Sequence, residues 1–133
     1  MSESVEPAIE RILAARDVDA YLSAQDQAAA LAGSDYARLG EVACQHEDPY
    51  FRWEALHVIS LVAAADHRAL FERALRDDPS ESVRDCAKAL LLRSLVRDEV
   101  MASGKLNAAG LEAYTRSIRE QTARLFFPRT PEE

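Results

Sequence analysis

Two stretches of this chain repeat one pattern of residues at a period of 32. The first copy follows Asp48-Pro49 and the second follows Asp78-Pro79, and the matching segments are Phe51-Arg52-x-x-Ala55 and Val83-Arg84-x-x-Ala87. When the arginines are aligned, the two Asp-Pro pairs are offset by two residues. A unit of this length holds two helices, which bury their apolar faces only against neighbouring units. The repeat therefore predicts a stack of antiparallel helical pairs.

The composition also predicts an all-α fold. Ala and Leu together number 39, against 12 for Val and Ile, and the whole chain of 133 residues has only four glycines. Strands are rich in β-branched residues and need many turns, whereas Ala and Leu favour helices. Aspartate followed by proline is a strong helix start. We expect six to seven helices in one domain, with long helices from Pro49 to about Ala64 and from Pro79 to about Val96, and an N-cap at Asn107.

The repeated residues resemble the HEAT-repeat family in its short bacterial form, whose motif is Asp-Pro-x-x-Val-Arg-x-x-Ala. The resemblance implies a short α-solenoid of HEAT-like hairpins over residues 1–133, with the clearest repeats in 46–97. Residues 1–45 would be a degenerate repeat or cap, and 105–128 a C-terminal capping helix. The resemblance implies that the motif arginine pairs with the aspartate of the neighbouring repeat, so Arg52 and Arg84 are expected to be structural.

Metal catalysis is not expected from these repeats. Some HEAT-repeat proteins, the deoxyhypusine hydroxylases, carry a di-iron site on His-Glu pairs that directly follow the repeat arginine. Here the corresponding pairs are Trp53-Glu54 and Asp85-Cys86, so the histidine is absent from both copies. Iron needs several converging imidazole and carboxylate ligands. No phosphate-binding glycine loop or cysteine nucleophile motif is present either. We therefore expect no metal, no cofactor and no enzymatic activity.

The charge pattern argues against nucleic acid as a partner. The formal net charge is −7, and residues 1–66 alone carry 4 basic and 12 acidic side chains. A nucleic-acid groove needs a basic surface, which the HEAT-like DNA glycosylases provide. The acidity serves either solubility or the steering of a basic protein partner. The sequence shows no membrane span and no signal peptide, and a cytoplasmic location is the default expectation.

One helical face is the candidate binding surface. On a helical wheel, Tyr50, Trp53, Glu54 and His57 lie opposite the apolar face of the first repeat helix. The resemblance implies that this stripe and Asp85 of the next repeat lie side by side on the concave surface. Aromatic side chains are frequent anchors of protein interfaces. Partner-binding residues are therefore predicted at Tyr50, Trp53, His57 and Asp85. The alternative is that Tyr50 and Trp53 pack under a terminal helix.

The predicted function is protein binding without catalysis, through this concave face. The chain would be an adaptor or scaffold, or an inhibitor such as a bacterial immunity protein that neutralises a basic toxin. The alternative from a different class is an accessory domain or subunit of an enzyme, such as the lyases that share short HEAT repeats.

Overall fold

The computed structural model describes residues 5–32, 35–62 and 67–125, and every regular element in these ranges is an α-helix. No described residue lies in a strand, so the predicted all-α class is confirmed. The described residues form seven helices: α1 (Val5–Ala14), α2 (Val18–Ala32), α3 (Tyr36–Gln45), α4 (Pro49–Leu61), α5 (Arg68–Asp77), α6 (Glu81–Ser103) and α7 (Ala108–Arg124).

The two repeat helices begin at different distances from their Asp-Pro pairs. Asp48 is the N-cap of α4, and its carboxylate accepts a hydrogen bond of 2.9 Å from the backbone N–H of Tyr50. Asp78 accepts the same bond from the N–H of Ser80, but Ser80 itself is the N-cap of α6. A serine hydroxyl at this position satisfies a free N–H of the first turn. Helix α6 therefore begins at Glu81, two residues later than predicted.

Helix α6 also extends well past the predicted end near Val96. It continues to Ser103 and ends at Gly104, whose φ of 73° places it in the left-handed region that glycine adopts without strain. No proline or glycine interrupts residues 97–103, so nothing in the local sequence ends the helix earlier. After this turn, the Asn107 side chain accepts a bond from the N–H of Gly110 and caps α7, as predicted.

Helix α4 lies at the centre of the packing. It contacts α1, α2, α3 and α6, while α1 packs most extensively with α2 and α5 with α6. The repeat alanines Ala55 and Ala87 are completely buried. Small side chains at these positions allow helices to approach closely. The largest buried apolar side chains of the same core are Ile9, Ile12, Leu39, Leu56, Ile59, Phe71 and Leu90.

The two repeat arginines make the same backbone bond. Arg52 donates to the carbonyl of His46, and Arg84 donates to the carbonyl of Asp78, each at 2.7 Å and each six residues back. His46 and Asp78 are the C-cap residues, which directly follow the last residues of α3 and α5. Each arginine therefore satisfies a carbonyl at the end of the preceding helix.

The predicted pairing of arginine with a neighbouring aspartate is confirmed for Arg52, which binds the carboxylate of Asp78. The Arg84 side chain bonds only the Asp78 carbonyl within the described part of the chain.

Helix α7 packs on α2 and lies inside the predicted capping segment 105–128, although 126–128 fall outside the described ranges. None of the seven described helices is both long and apolar enough to cross a lipid bilayer.

Candidate functional site

A cavity of about 610 Å³ lies between α4, α6 and α7, with further residues from α2 and α5. Helix α4 contributes Trp53 and His57, which are one turn apart and face the same side. The centroids of their rings are 4.2 Å apart, with a tilt of 47° between the planes. The Asp48 cap fixes where α4 begins, and so fixes the side to which both rings point.

The structure brings together two of the four predicted binding residues. Trp53 and His57 are half-buried and line the cavity, whereas Tyr50 and Asp85 do not line it. Tyr50 is 71% exposed near the start of α4, and Asp85 is exposed in the first turns of α6. The four residues therefore divide into a cavity-facing pair and two side chains at the surface.

The surroundings of Trp53 correspond in part to the alternative placement under a terminal helix. Its side chain packs against the hydrophobic core, and residues from α7, among them Tyr114 and Ile118, line the same cavity. Tyr50, in contrast, is not covered by any described helix, as its exposure shows. The alternative that both side chains pack under a terminal helix is therefore partly correct for Trp53 and wrong for Tyr50.

His57 is held in its neutral form. Its pKa is lowered from 6.5 to about 4, mainly by burial and in addition by the positive charges of Arg93 on α6 and Arg119 on α7. An imidazole with this pKa carries no charge at neutral pH. His57 therefore contributes a polar but uncharged surface to the cavity.

The helical wheel predicts Glu54 at the binding face, and this prediction is wrong. Glu54 is only 2% exposed, and its carboxylate accepts hydrogen bonds from the Tyr21 hydroxyl at 2.8 Å and the Gln25 amide at 3.2 Å. The amide oxygen of Gln25 in turn accepts a bond from Arg119, which also pairs with Asp26. This polar network joins α4, α2 and α7. A buried carboxylate is tolerated because its oxygens are hydrogen-bonded.

The two cysteines are poorly suited to nucleophilic chemistry. Cys86 is buried, and the loss of solvation raises the pKa of its thiol to about 12. Burial also raises the pKa of the half-buried Cys44. The thiolate is the reactive form, and it is scarce at neutral pH in both cases. Among the described residues, no group of three His, Cys, Asp or Glu side chains is arranged to bind a metal ion.

Comparison of the chain with protein-family models, curated proteins and solved structures found no match.

Proposed function

We propose that this chain is a non-catalytic protein-binding module, built as a short solenoid of antiparallel HEAT-like hairpins. The packing of α1 with α2, α3 with α4 and α5 with α6 supports a series of three helical pairs. The shared bond from Arg52 and Arg84 to the end of the preceding helix supports an equivalent build of the last two pairs. A concave face formed by α4 and α6 would then be the binding surface.

The exposed side chains of α4 and α6 are the observation that carries this proposal. Tyr50 is 71% exposed, and on α6 Leu92 and Val96 are 53% and 57% exposed. Leu92 and Val96 are four residues apart and so lie on one face of the helix. An exposed apolar patch with a polar rim is typical of a surface that binds another protein. Asp85, also exposed on α6, adds a carboxylate to this surface.

The proposed partner is a basic protein in the cytoplasm. Residues 1–66 have an excess of eight acidic side chains over basic ones, which attracts a positively charged surface during encounter. Such a module serves as an adaptor, or as an inhibitor that blocks a basic toxin. An accessory role beside an enzyme would use the same kind of contact. The identity of the bound protein would show whether the chain is an adaptor, an inhibitor or an accessory subunit of an enzyme.

The test is affinity capture from cells of the native host followed by quantitative mass spectrometry. We would compare the wild-type chain with Tyr50→Ala and Val96→Asp. The control is Leu125→Ser, because Leu125 is 83% exposed but lies just beyond the end of α7. Loss of one interface anchor typically weakens binding by about 2 kcal/mol, or roughly thirtyfold. We expect the wild type and Leu125→Ser to capture the same protein, and we expect Tyr50→Ala and Val96→Asp to capture much less of it.

Two further measurements complete the test. The association rate of the captured protein with the wild-type chain should fall steeply with added salt. Retention of the same proteins by all four chains, or of none by any chain, contradicts the proposal. Circular dichroism melting of each variant establishes that a lost partner does not reflect a lost fold.

A further inference from the structure

The charge inside the cavity is opposite to the charge of the chain. Three arginines line it, namely Arg93 and Arg97 from α6 and Arg119 from α7. No aspartate or glutamate of the described residues is among the lining side chains. This is unexpected in a chain with 23 acidic and 16 basic side chains. The cavity is therefore a cationic site in an acidic protein.

Two of these arginines have no carboxylate partner among the residues that the structure describes. Arg119 pairs with Asp26 and donates to Gln25, so its charge serves the docking of α7 on α2. Arg93 and Arg97, in contrast, form no ion pair with any described residue. They are four residues apart on α6, so their guanidinium groups extend from one face of the helix. Together they provide two adjacent cationic donor groups at one wall of the cavity.

The remaining wall is mainly apolar. Trp53, Leu90, Val96, Leu111 and Ile118 contribute carbon surface from α4, α6 and α7. The volume of about 610 Å³ lies within the range of small-molecule sites, which is roughly 300–1,000 Å³. Such sites combine an apolar lining with a few polar groups that fix the orientation of the ligand. The neutral His57 and the Ser94 hydroxyl also reach the cavity and carry no charge that would repel a ligand.

We propose that this cavity binds an amphipathic organic anion, a molecule with one apolar chain and a carboxylate head. The carboxylate binds Arg93 and Arg97, whose guanidinium groups match its two oxygens. The chain lies along the apolar wall and removes carbon surface from water. Of the residues proposed to contact a protein partner, Leu92 and Val96 line this cavity, whereas Tyr50 and Asp85 lie outside it, so the two proposed sites share one part of α6.

Dodecanoate is the probe, with dodecylamine and dodecanol as cationic and neutral molecules of the same chain length. All three are used below the concentration at which they aggregate. Trp53 is the only tryptophan and lines the cavity, so its fluorescence reports occupancy. Isothermal titration calorimetry gives the affinity and stoichiometry independently. We expect dodecanoate to bind one site per chain, at least tenfold more tightly than dodecanol, and dodecylamine to bind more weakly still.

The charge requirement is tested by Arg93→Gln combined with Arg97→Gln. The matched control removes two exposed positive charges elsewhere, by Arg11→Gln and Arg124→Gln, because neither residue lines the cavity. We expect the first pair to weaken dodecanoate binding at least tenfold, and the control pair to change it by less than about threefold. Ile118→Phe, which fills part of the cavity, should weaken dodecanoate and dodecanol alike. Circular dichroism checks that all variants are folded.

Three outcomes overturn the proposal. They are no saturable binding of dodecanoate, equal binding of dodecanoate and dodecylamine, and unchanged binding by the Arg93 and Arg97 double variant. If dodecanoate fails to bind while this double variant also loses a captured protein, the cavity receives a segment of a protein partner. In that case the ligand proposal fails and the protein-binding proposal stands.

Discussion

Arg52 and Asp78 form a buried bidentate ion pair that ties α4 to the turn before α6. The Nε and Nη2 atoms of Arg52 donate to the two carboxylate oxygens of Asp78 at 2.8 and 3.1 Å. The third guanidinium nitrogen, Nη1, donates to the carbonyls of His46 and Glu47. One side chain thus joins the end of α3, the start of α4 and the end of α5.

Removal of the Arg52 side chain should lower the free energy of unfolding much more than removal of the Arg84 side chain, its counterpart in the next repeat. Arg52→Ala leaves the Asp78 carboxylate buried without its cation, and such a loss typically costs about 3–5 kcal/mol. Arg84→Ala removes a bond to a carbonyl but no buried ion pair, and we expect a cost of about 1–2 kcal/mol. Urea denaturation of the two variants measures the difference. Equal costs would mean that the ion pair adds nothing beyond the shared backbone bond.

The repeat alanines set how closely the helices approach. Ala87 on α6 has no exposed surface, so Ala87→Leu adds atoms where no space exists. Overpacking of this kind typically costs about 1–3 kcal/mol. Ala89, two residues further along the same helix, is exposed, so Ala89→Leu is the matched control and should change stability by less than about 0.5 kcal/mol.

The melting temperatures of Ala87→Leu and Ala89→Leu measure this difference in stability. A wild-type melting temperature for Ala87→Leu would show that Ala87 does not lie at a close helix contact. It would also remove the structural basis for aligning the two repeats on Ala55 and Ala87.

The two thiols should react slowly and at different rates. Cys86 is buried with a pKa of about 12, whereas Cys44 is half-buried with a pKa raised to a lesser extent. The reaction rate with an aryl disulfide follows the fraction of accessible thiolate. We expect Cys44→Ala, which leaves only Cys86, to react more slowly than Cys86→Ala. Both variants should react fully and quickly in urea. Rapid reaction of Cys86 in the native protein would show that α6 opens locally.

The sequence predicts the repeat geometry because the residues that build it act locally. Asp48 and Asn107 cap helices that begin immediately after them, and the spacing of Arg52 from Asp48 places its side chain at the preceding helix end. The late start of α6 depends on a competition between Asp78 and Ser80 for the N-cap. Asp78 and Ser80 both have good capping side chains and are separated only by Pro79, so the sequence leaves this choice open.

The candidate site is less predictable because it depends on contacts between distant segments. A helical wheel places the charged side chain of Glu54 at the surface. Its burial is explained only by the hydrogen bonds from Tyr21 and Gln25, which lie on α2, far away in the sequence. The cavity similarly requires α7 to lie near α4 and α6, although α7 is separated from α4 by 46 residues of sequence. No local pattern specifies this placement. The charges of Arg93 and Arg97 are visible in the sequence, but their shared cavity is not.

His57 should make the folded protein less stable as the pH falls below 6.5. In the unfolded chain His57 gains a proton near its ordinary pKa of 6.5, whereas in the folded protein it stays neutral down to about pH 4. The unfolded state therefore binds more protons between pH 6.5 and 4, so the free energy of unfolding decreases across this window. One such group gives a slope of at most about 1.4 kcal/mol per pH unit. Well above pH 6.5, His57 is neutral in both states and has no effect on the pH dependence.

The comparison with His57→Gln isolates this contribution from the carboxylates that titrate at lower pH. We expect the wild type to lose more stability than His57→Gln between pH 6.5 and 4.5 in urea denaturation. The titration of the His57 ring protons, followed by NMR, gives the pKa directly. A midpoint near 6.5 in the folded protein would show that water reaches the imidazole freely. It would also show that the charges of Arg93 and Arg119 are screened there, and would weaken the assignment of the cavity as a site where those charges attract an anion.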